Sequence, residues 1–301
     1  MDIYHETHGD GEGRPLLLVH GALSGIGTSF ATILPFLARS RRVIAVELQA
    51  HGHTPDADRP FTVEHFAADV VELLDRLGVA QADVYGWSMG AAVALRLGTD
   101  HAERVGRLVL ASVSFDDAGL HPGLLDGIQD LRPEHLHGSE FHEEYLRTSR
   151  DPAGWANLVT KMKVLDANLP RWTPEQIAAL AVPTMIVLAD SDIIQPEHAV
   201  RMFRLLGGAV PGDLTGLPAC RLAILPGTTH TTIPQRADWL APMIDDFLDD
   251  PTPPPPPAPA PPRASAAPRA SAAPRASAAP RASAAPRASA APRDLALSVV
   301  A

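Results

Sequence analysis

Short apolar runs recur six times along this chain, and most of the segments between them have a helical pattern. The runs cover residues 15–19, 42–46, 82–85, 107–111, 184–188 and 221–225. Continuous apolar runs of this length are typical of strands that are buried on both faces. Strands that alternate with helices pair in parallel and are covered by helices. The sequence therefore predicts an α/β protein with a mostly parallel, doubly wound sheet.

The helical pattern is clearest at 63–77, where apolar residues recur with a period close to 3.6. Thr62 precedes this segment as an N-cap, and Gly78 follows it as a residue that can end a helix. Further helices of the alternating pattern are predicted at 91–97, 196–206 and 234–248.

Residues 116–181 interrupt the alternation, because they contain no convincing strand. Their pattern predicts helices at 121–130, 133–149, 153–168 and 174–181. Helical insertions between two strands often cover an active site. We therefore expect residues 1–115 and 182–250 to form the core and 116–181 to form a helical cap.

Composition separates the last 51 residues from the rest of the chain. They hold 14 of the 30 prolines, and their six arginines and one aspartate give them +5 of a total charge of −10, which leaves −15 on residues 1–250. Residues 263–292 are five copies of Arg-Ala-Ser-Ala-Ala-Pro. Such repeats bury too little apolar surface to offset the entropy of ordering. We expect 251–301 to be a disordered tail without a role in catalysis.

Charge and composition exclude several classes of protein. The acidic body argues against nucleic-acid binding, since phosphates would be repelled. No apolar run reaches the length of about 18 residues that a membrane span needs. Residues 1–13 are polar and partly acidic, unlike a signal peptide. Cys220 is the only cysteine, which excludes a disulfide scaffold and is consistent with a cytoplasmic location.

A Gly-x-Ser-x-Gly motif supplies a candidate nucleophile. It comprises Gly86, Trp87, Ser88, Met89 and Gly90, directly after one predicted strand and before a predicted helix. A nucleophilic serine on so tight a turn needs small neighbours, because the backbone is strained and the helix packs closely. The motif alone is moderate evidence for a nucleophilic serine, and its position between a strand and a helix strengthens that evidence.

A serine needs a base, and the base needs a carboxylate. His230 follows the last predicted strand and is the candidate base. Asp192 follows the preceding strand and is the favoured carboxylate, with Asp190 as the alternative. In chain order the three candidates are serine, aspartate and histidine.

An oxyanion hole needs backbone N–H groups directed at the developing negative charge. One is expected from Met89, the residue after the nucleophile, and the other from Ala22, in the glycine-rich loop after the first apolar run. We interpret His20 as a structural residue that holds this loop.

Together these segments resemble the α/β-hydrolase superfamily, in its serine hydrolase branch of esterases and enol-lactonases. The resemblance rests on His20-Gly21 with Gly25, the loop 47–54, the motif 86–90, Asp192 with Pro196, and Pro226-Gly227 with His230. It implies the α/β-hydrolase fold, with an eight-stranded type of sheet that includes an N-terminal hairpin near residues 3–8. It also implies a Ser-His-Asp triad and the helical cap.

Two positions depart from the family pattern or leave a choice open. Glu47 stands where the family usually has an aspartate of structural role. Asp116 or Asp117 follows the fourth apolar run, where some members of the family place the acid of the triad. Ser88 argues against the dehalogenase branch, whose nucleophile is an aspartate.

The resemblance implies acyl transfer to water without a cofactor, and a small carboxylic ester or lactone is the expected substrate. Alternatives on the same triad are a cofactor-free perhydrolase or haloperoxidase-like activity and C–C hydrolysis; a non-catalytic ligand-binding protein is a further alternative. An apolar substrate pocket is expected from Leu23, Trp87, Phe115, Trp155, Trp172 and Ile193.

No metal site is expected. His135, His137 and His142 lie close in sequence but lack the ordered spacing of a zinc site, and we interpret them as a solvated helix face. Oligomeric state and natural substrate are left open by the sequence.

Overall fold

A seven-stranded sheet forms the centre of the protein, of which the computed structural model describes residues 1–251. The strands lie in the order β1-β3-β2-β4-β5-β6-β7, with β1 antiparallel to its neighbour and all other pairs parallel. Their bounds are Tyr4–His8, Leu16–Val19, Val43–Glu47, Ala82–Trp87, Val105–Ala111, Thr184–Ser191 and Arg221–Thr229 for β1 to β7.

Eleven α-helices accompany the strands in residues 1–251. Helices α3 and α4 pack against each other, as do α2 and α11. The bounds of α1 to α11 are Ile26–Phe30, Leu34–Leu37, Val63–Arg76, Met89–Asp100, Leu124–Asp130, Glu140–Thr148, Trp155–Asp166, Pro174–Ala178, Pro196–Leu205, Gly212–Thr215 and Ala237–Leu248.

The six apolar runs form β2 to β7, which confirms the predicted α/β class. Every residue of β2, β3 and β4 is buried, as expected for strands covered on both faces. Strand β7 continues four residues beyond the predicted 221–225 and ends at Thr229, so His230 directly follows it.

The N-terminal strand differs from the predicted hairpin. Strand β1 pairs with β3, placing Tyr4 opposite Glu47, while β2 lies on the other side of β3. The predicted hairpin within residues 3–8 was therefore wrong, because residues 4–8 form one continuous strand that pairs with β3 along its whole length. The described sheet has seven strands instead of eight.

Residues 116–181 contain helices and no strand, in the interval between β5 and β6. The predicted helix 133–149 is divided: a 3₁₀ turn covers Pro133–Leu136, and α6 begins only after Ser139 caps it. Gly138 separates the two with a φ of +81°, which a continuing helix cannot accommodate.

The predicted repeat tail lies outside the described residues. Within residues 1–251, no helix combines the length and apolar character required to cross a membrane.

Candidate active site

Ser88 lies on a sharp turn between β4 and α4. Its backbone has φ +56° and ψ −120°, a conformation that few residues with a side chain adopt. The flanking glycines make the turn possible: a Cβ on Gly86 would lie 2.2 Å from the Gly90 carbonyl oxygen, and one on Gly90 would lie 2.0 Å from the Val19 carbonyl oxygen. The motif thus holds the hydroxyl of Ser88 clear of the backbone at the carboxyl end of the sheet.

Ser88, His230 and Asp192 form a continuous hydrogen-bonded chain. The Ser88 Oγ lies 2.9 Å from His230 Nε2, and His230 Nδ1 lies 3.0 Å from Asp192 Oδ1. The two partners follow β7 and β6, strands that are far from β4 in sequence but end at the same edge of the sheet. This is the geometry in which a histidine can take a serine proton.

The surroundings of Asp192 keep it ionised. Burial alone would raise the pKa of this carboxyl, but hydrogen bonds from His230 and Ser112 and the charge of His230 lower the pKa below its usual value. The backbone N–H groups of Ala189 and Ile193 also donate to it, at 3.1 and 2.7 Å. A fixed carboxylate orients the imidazole.

Ser112 is a member of this cluster that the sequence prediction missed. Its hydroxyl donates to Asp192 Oδ1 at 2.6 Å and lies 2.7 Å from His230 Nδ1, whose N–H it can accept. Ser112 is buried and has a φ of +56°. The available signal was its position directly after β5, at the sheet edge where Ser88 and Asp192 also lie.

Two backbone N–H groups beside Ser88 are unused. In residues 1–251, neither the N–H of Ala22 nor that of Met89 donates to a protein acceptor. Both residues line the same cleft as Ser88. Paired free donors next to a nucleophile are the arrangement that stabilises an oxyanion.

Two buried histidines hold the loop that carries Ala22. His20 donates from Nδ1 to the Gly21 carbonyl at 2.7 Å and accepts from the Leu48 N–H at 2.9 Å. His51 accepts from the Leu23 N–H at 3.2 Å. Burial, helped by neighbouring His20, lowers the pKa of His51 to about 3, so it is a neutral acceptor at ordinary pH. Burial also lowers the pKa of His20.

Glu144 connects the helical segment to the same loop. It lies on α6 and is 3% exposed. Its carboxylate accepts the N–H of Gly25 at 2.9 Å, the N–H of Thr28 at 3.1 Å and the Thr28 hydroxyl. A buried carboxylate is satisfied here by donors from the core.

The cleft above Ser88 has a cavity volume of about 100 Å³. Its walls are mostly apolar and come from the strand ends and from 116–181. Of the residues predicted for the pocket, Trp172 and Ile193 line it. The apolar wall also includes Val63, Leu120, Leu124, Leu125, Ile128, Leu165, Leu169 and Pro170.

Four residues predicted for the pocket lie elsewhere. Trp87 is buried behind the site and donates from its indole N–H to the His230 carbonyl at 3.2 Å. Leu23 faces a small separate recess beside Glu144. Phe115 stacks on His198, and Trp155 packs among His142 and Tyr145. Large apolar side chains tend to be buried, and these four are buried outside the cleft instead of lining it.

The alternative acids have other partners. Asp190 is exposed and accepts the N–H groups of Gly227 and Thr228, which hold the pKa of its carboxyl below the usual value. Asp116 caps the following 3₁₀ turn and lies 3.5 Å from Arg201, and Asp117 pairs with Arg171.

A serine–histidine–aspartate cluster at the carboxyl ends of a mostly parallel sheet defines a hydrolase of the α/β class. The chain belongs to the family of proteins with the alpha/beta hydrolase fold, whose sequence model matches residues 14–212.

Individual relatives differ in what they act on. The chain is 41% identical over 120 residues to a 2-hydroxymuconate semialdehyde hydrolase from a Pseudomonas species; the match covers 38% of this chain and 42% of that relative. The chain therefore spans less than half the length of this relative in the match.

Solved structures match over a larger share of the chain. An enol-lactonase from Burkholderia xenovorans has a TM-score of 0.61 at 19% identity, covering 82% of this chain and 96% of the other. A meta-cleavage product hydrolase from Pseudomonas fluorescens has a TM-score of 0.65 at 18% identity, covering 82% and 94%. At this identity the likeness concerns the fold.

Proposed function

We propose that the protein is a serine hydrolase that cleaves a small carboxylic ester or lactone through an acyl-enzyme on Ser88. The observation that carries the proposal is the hydrogen-bonded chain from Ser88 through His230 to Asp192 at the floor of an apolar cleft. Ser88 is the nucleophile, His230 the general base and Asp192 the residue that orients it.

The proposed reaction has two matched halves. His230 Nε2 takes the proton of Ser88 Oγ as the oxygen attacks the carbonyl carbon, and the N–H groups of Ala22 and Met89 stabilise the oxyanion. His230 then protonates the departing alcohol oxygen. A water molecule gives its proton to His230, attacks the acyl carbon, and releases the acid with Ser88 restored. No cofactor takes part in this scheme.

The charge of the cleft favours an ester or lactone over C–C hydrolysis of a carboxylate substrate. Relatives in the comparison are named for muconate and heptadienoate substrates, which carry carboxylates. In residues 1–251, the lining of the cleft includes Asp116, Asp117 and Asp166 but no lysine or arginine, and His230, which contacts Ser88 there, is the proposed general base. A carboxylate substrate would lack a counter-charge there.

A fluorophosphonate probe tests the proposal, because it labels an activated serine covalently. We expect wild type to be labelled, to hydrolyse short acyl esters or lactones, and to lose both properties in Ser88→Ala. Ser114→Ala is the matched control, since Ser114 lines the same cleft without contacting the triad and should still be labelled. A wild-type protein that resists the probe and hydrolyses none of these compounds would contradict the proposal and favour a ligand-binding protein.

A further inference from the structure

Asp166 is a carboxyl group without a partner inside the candidate active site. It is the last residue of α7 and lines the same cleft as Ser88. Its neighbours in the wall include Leu165, Leu169 and Trp172. Within residues 1–251 it accepts no hydrogen bond and forms no ion pair, and burial raises the pKa of its carboxyl to about 7. Asp166 is half-buried, so its carboxylate gives up part of its hydration without gaining a charged partner among the described residues.

The other two carboxylates of the cleft already have cationic partners. Asp116 lies near Arg201, and Asp117 pairs with Arg171. The two lysines of α7 are engaged away from Asp166: Lys161 binds Asp56 at 2.6 Å, and Lys163 binds the Leu131 carbonyl at 2.9 Å. Asp166 is thus the lining carboxyl to which the described residues supply no counter-charge.

We propose that Asp166 binds a cationic group of the substrate, so that the preferred ester or lactone carries an ammonium group on a chain lying along the apolar wall. This inference rests on the proposed function of Ser88. An ammonium would give Asp166 an ion pair like those that Asp116 and Asp117 already form with arginines. The lining of the cleft holds no lysine or arginine that would repel the ammonium. The apolar wall suits the methylenes between the ammonium and the scissile carbonyl.

The preference should depend on pH, because only the ionised form of Asp166 attracts a cation. The other ionisable groups at the cleft are Asp116 and Asp117 in its lining and His230, which contacts Ser88. Of the elements packed against α7, α5 turns apolar residues to the cleft and keeps Asp126 and Asp130 exposed. The 3₁₀ turn at Pro133–Leu136 also packs against α7 and carries Glu134, which is exposed, and His135, which bonds to Arg132. We therefore expect the cation preference to be strong above pH 7 and to weaken below it.

Two p-nitrophenyl esters that differ in charge provide the test. One acyl chain ends in trimethylammonium and the other in its neutral isostere, a tert-butyl group; each rate is divided by that of uncatalysed hydrolysis, because the ammonium activates the ester. At pH 8.5 we expect kcat/KM to be about tenfold higher for the cationic ester. Asp166→Asn should remove this preference, so that the two esters have equal kcat/KM. The ratio of the two esters cancels pH effects that are common to both.

Asp117→Asn is the matched control, because Asp117 lines the cleft but is already paired, and it should keep most of the preference. A second measurement needs no catalysis: butyltrimethylammonium chloride should raise the melting temperature of wild type at pH 8.5, relative to equal sodium chloride, and not that of Asp166→Asn. Equal kcat/KM ratios in wild type and Asp166→Asn would overturn the inference while leaving the proposed hydrolase intact. Hydrolysis of neither ester, with stabilisation by the cation retained, would overturn the proposed function and leave the cation site standing.

Discussion

At the scale of single residues, the site depends on backbone conformations that side chains normally avoid. Leu23, Ser88 and Ser112 all have a φ between +56° and +59°. Each belongs to one part of the machinery: the loop of Ala22, the nucleophile, and the cluster around His230. Such conformations cost about 1–3 kcal/mol each and persist where surrounding packing enforces them. Their concentration here agrees with a preorganised active site.

Ser112→Gly tests the contribution of the serine that the sequence prediction missed. Glycine tolerates the positive φ, so the change removes the hydroxyl without adding strain. Since a hydrogen bond to a charged group contributes about 1.5–3 kcal/mol, we expect kcat to fall at least about tenfold with KM little changed. Steady-state kinetics measure both constants. Ser114→Ala serves as control, and an unchanged kcat in Ser112→Gly would show that Asp192 positions His230 alone.

At the scale of elements, α6 fixes the loop that carries the candidate oxyanion donor. Glu144 reaches from α6 to the start of α1 and satisfies three donors of Gly25 and Thr28. These contacts join the helical segment 116–181 to the core directly above the sheet edge. The position of the helical segment and the shape of the loop are therefore coupled.

Glu144→Ala should expose this coupling. The change leaves the three donors buried without their acceptor, so we expect unfolding free energy to fall by about 3 kcal/mol and kcat/KM to fall with it. Thermal denaturation and ester hydrolysis measure the two effects. Glu143→Ala, on the exposed face of the same helix, should change neither. Equal stability and equal kcat/KM in the two variants would show that the Glu144 contacts are required for neither folding stability nor catalysis.

At the scale of the whole molecule, buried histidines should make stability fall as pH decreases. Burial lowers the pKa of His20, His51 and His198 below the ordinary value of 6.5. Below pH 6.5 the unfolded chain binds protons that the folded chain does not, and so the folded state loses stability. Asp166 acts in the opposite direction, because its raised pKa makes the folded state lose stability as pH rises.

His51→Asn isolates one of these contributions. With a folded pKa of about 3, His51 should account for a loss of about 2 kcal/mol between pH 7 and pH 4.5. We expect the melting temperature of wild type to fall by about 5 °C more than that of His51→Asn over this range, as measured by calorimetry. Parallel curves for the two proteins would contradict the assignment of His51 as a buried neutral acceptor.

The amino-acid sequence by itself determined the class of fold and the candidate triad. Short continuous apolar runs separated by helical patterns are typical of central strands, and parallel strands bring their carboxyl ends to one edge. Ser88, Asp192 and His230 each follow such a run, so their meeting could be predicted without coordinates. The pairing of β1 with β3 could not, because a strand of alternating polarity does not reveal its partner.

Only the tertiary structure decided which residues face the cleft. Trp87 and Trp172 are both large and apolar, yet one supports His230 from behind and the other lines the cavity. Their apolar character predicts that such side chains are buried, but it does not predict which of them face the cleft. The sequence did not reveal Ser112 or Asp166 for the same reason. Ser112 contacts residues more than 70 positions away, and Asp166 lines the cleft without a charged partner; both facts depend on the folded chain.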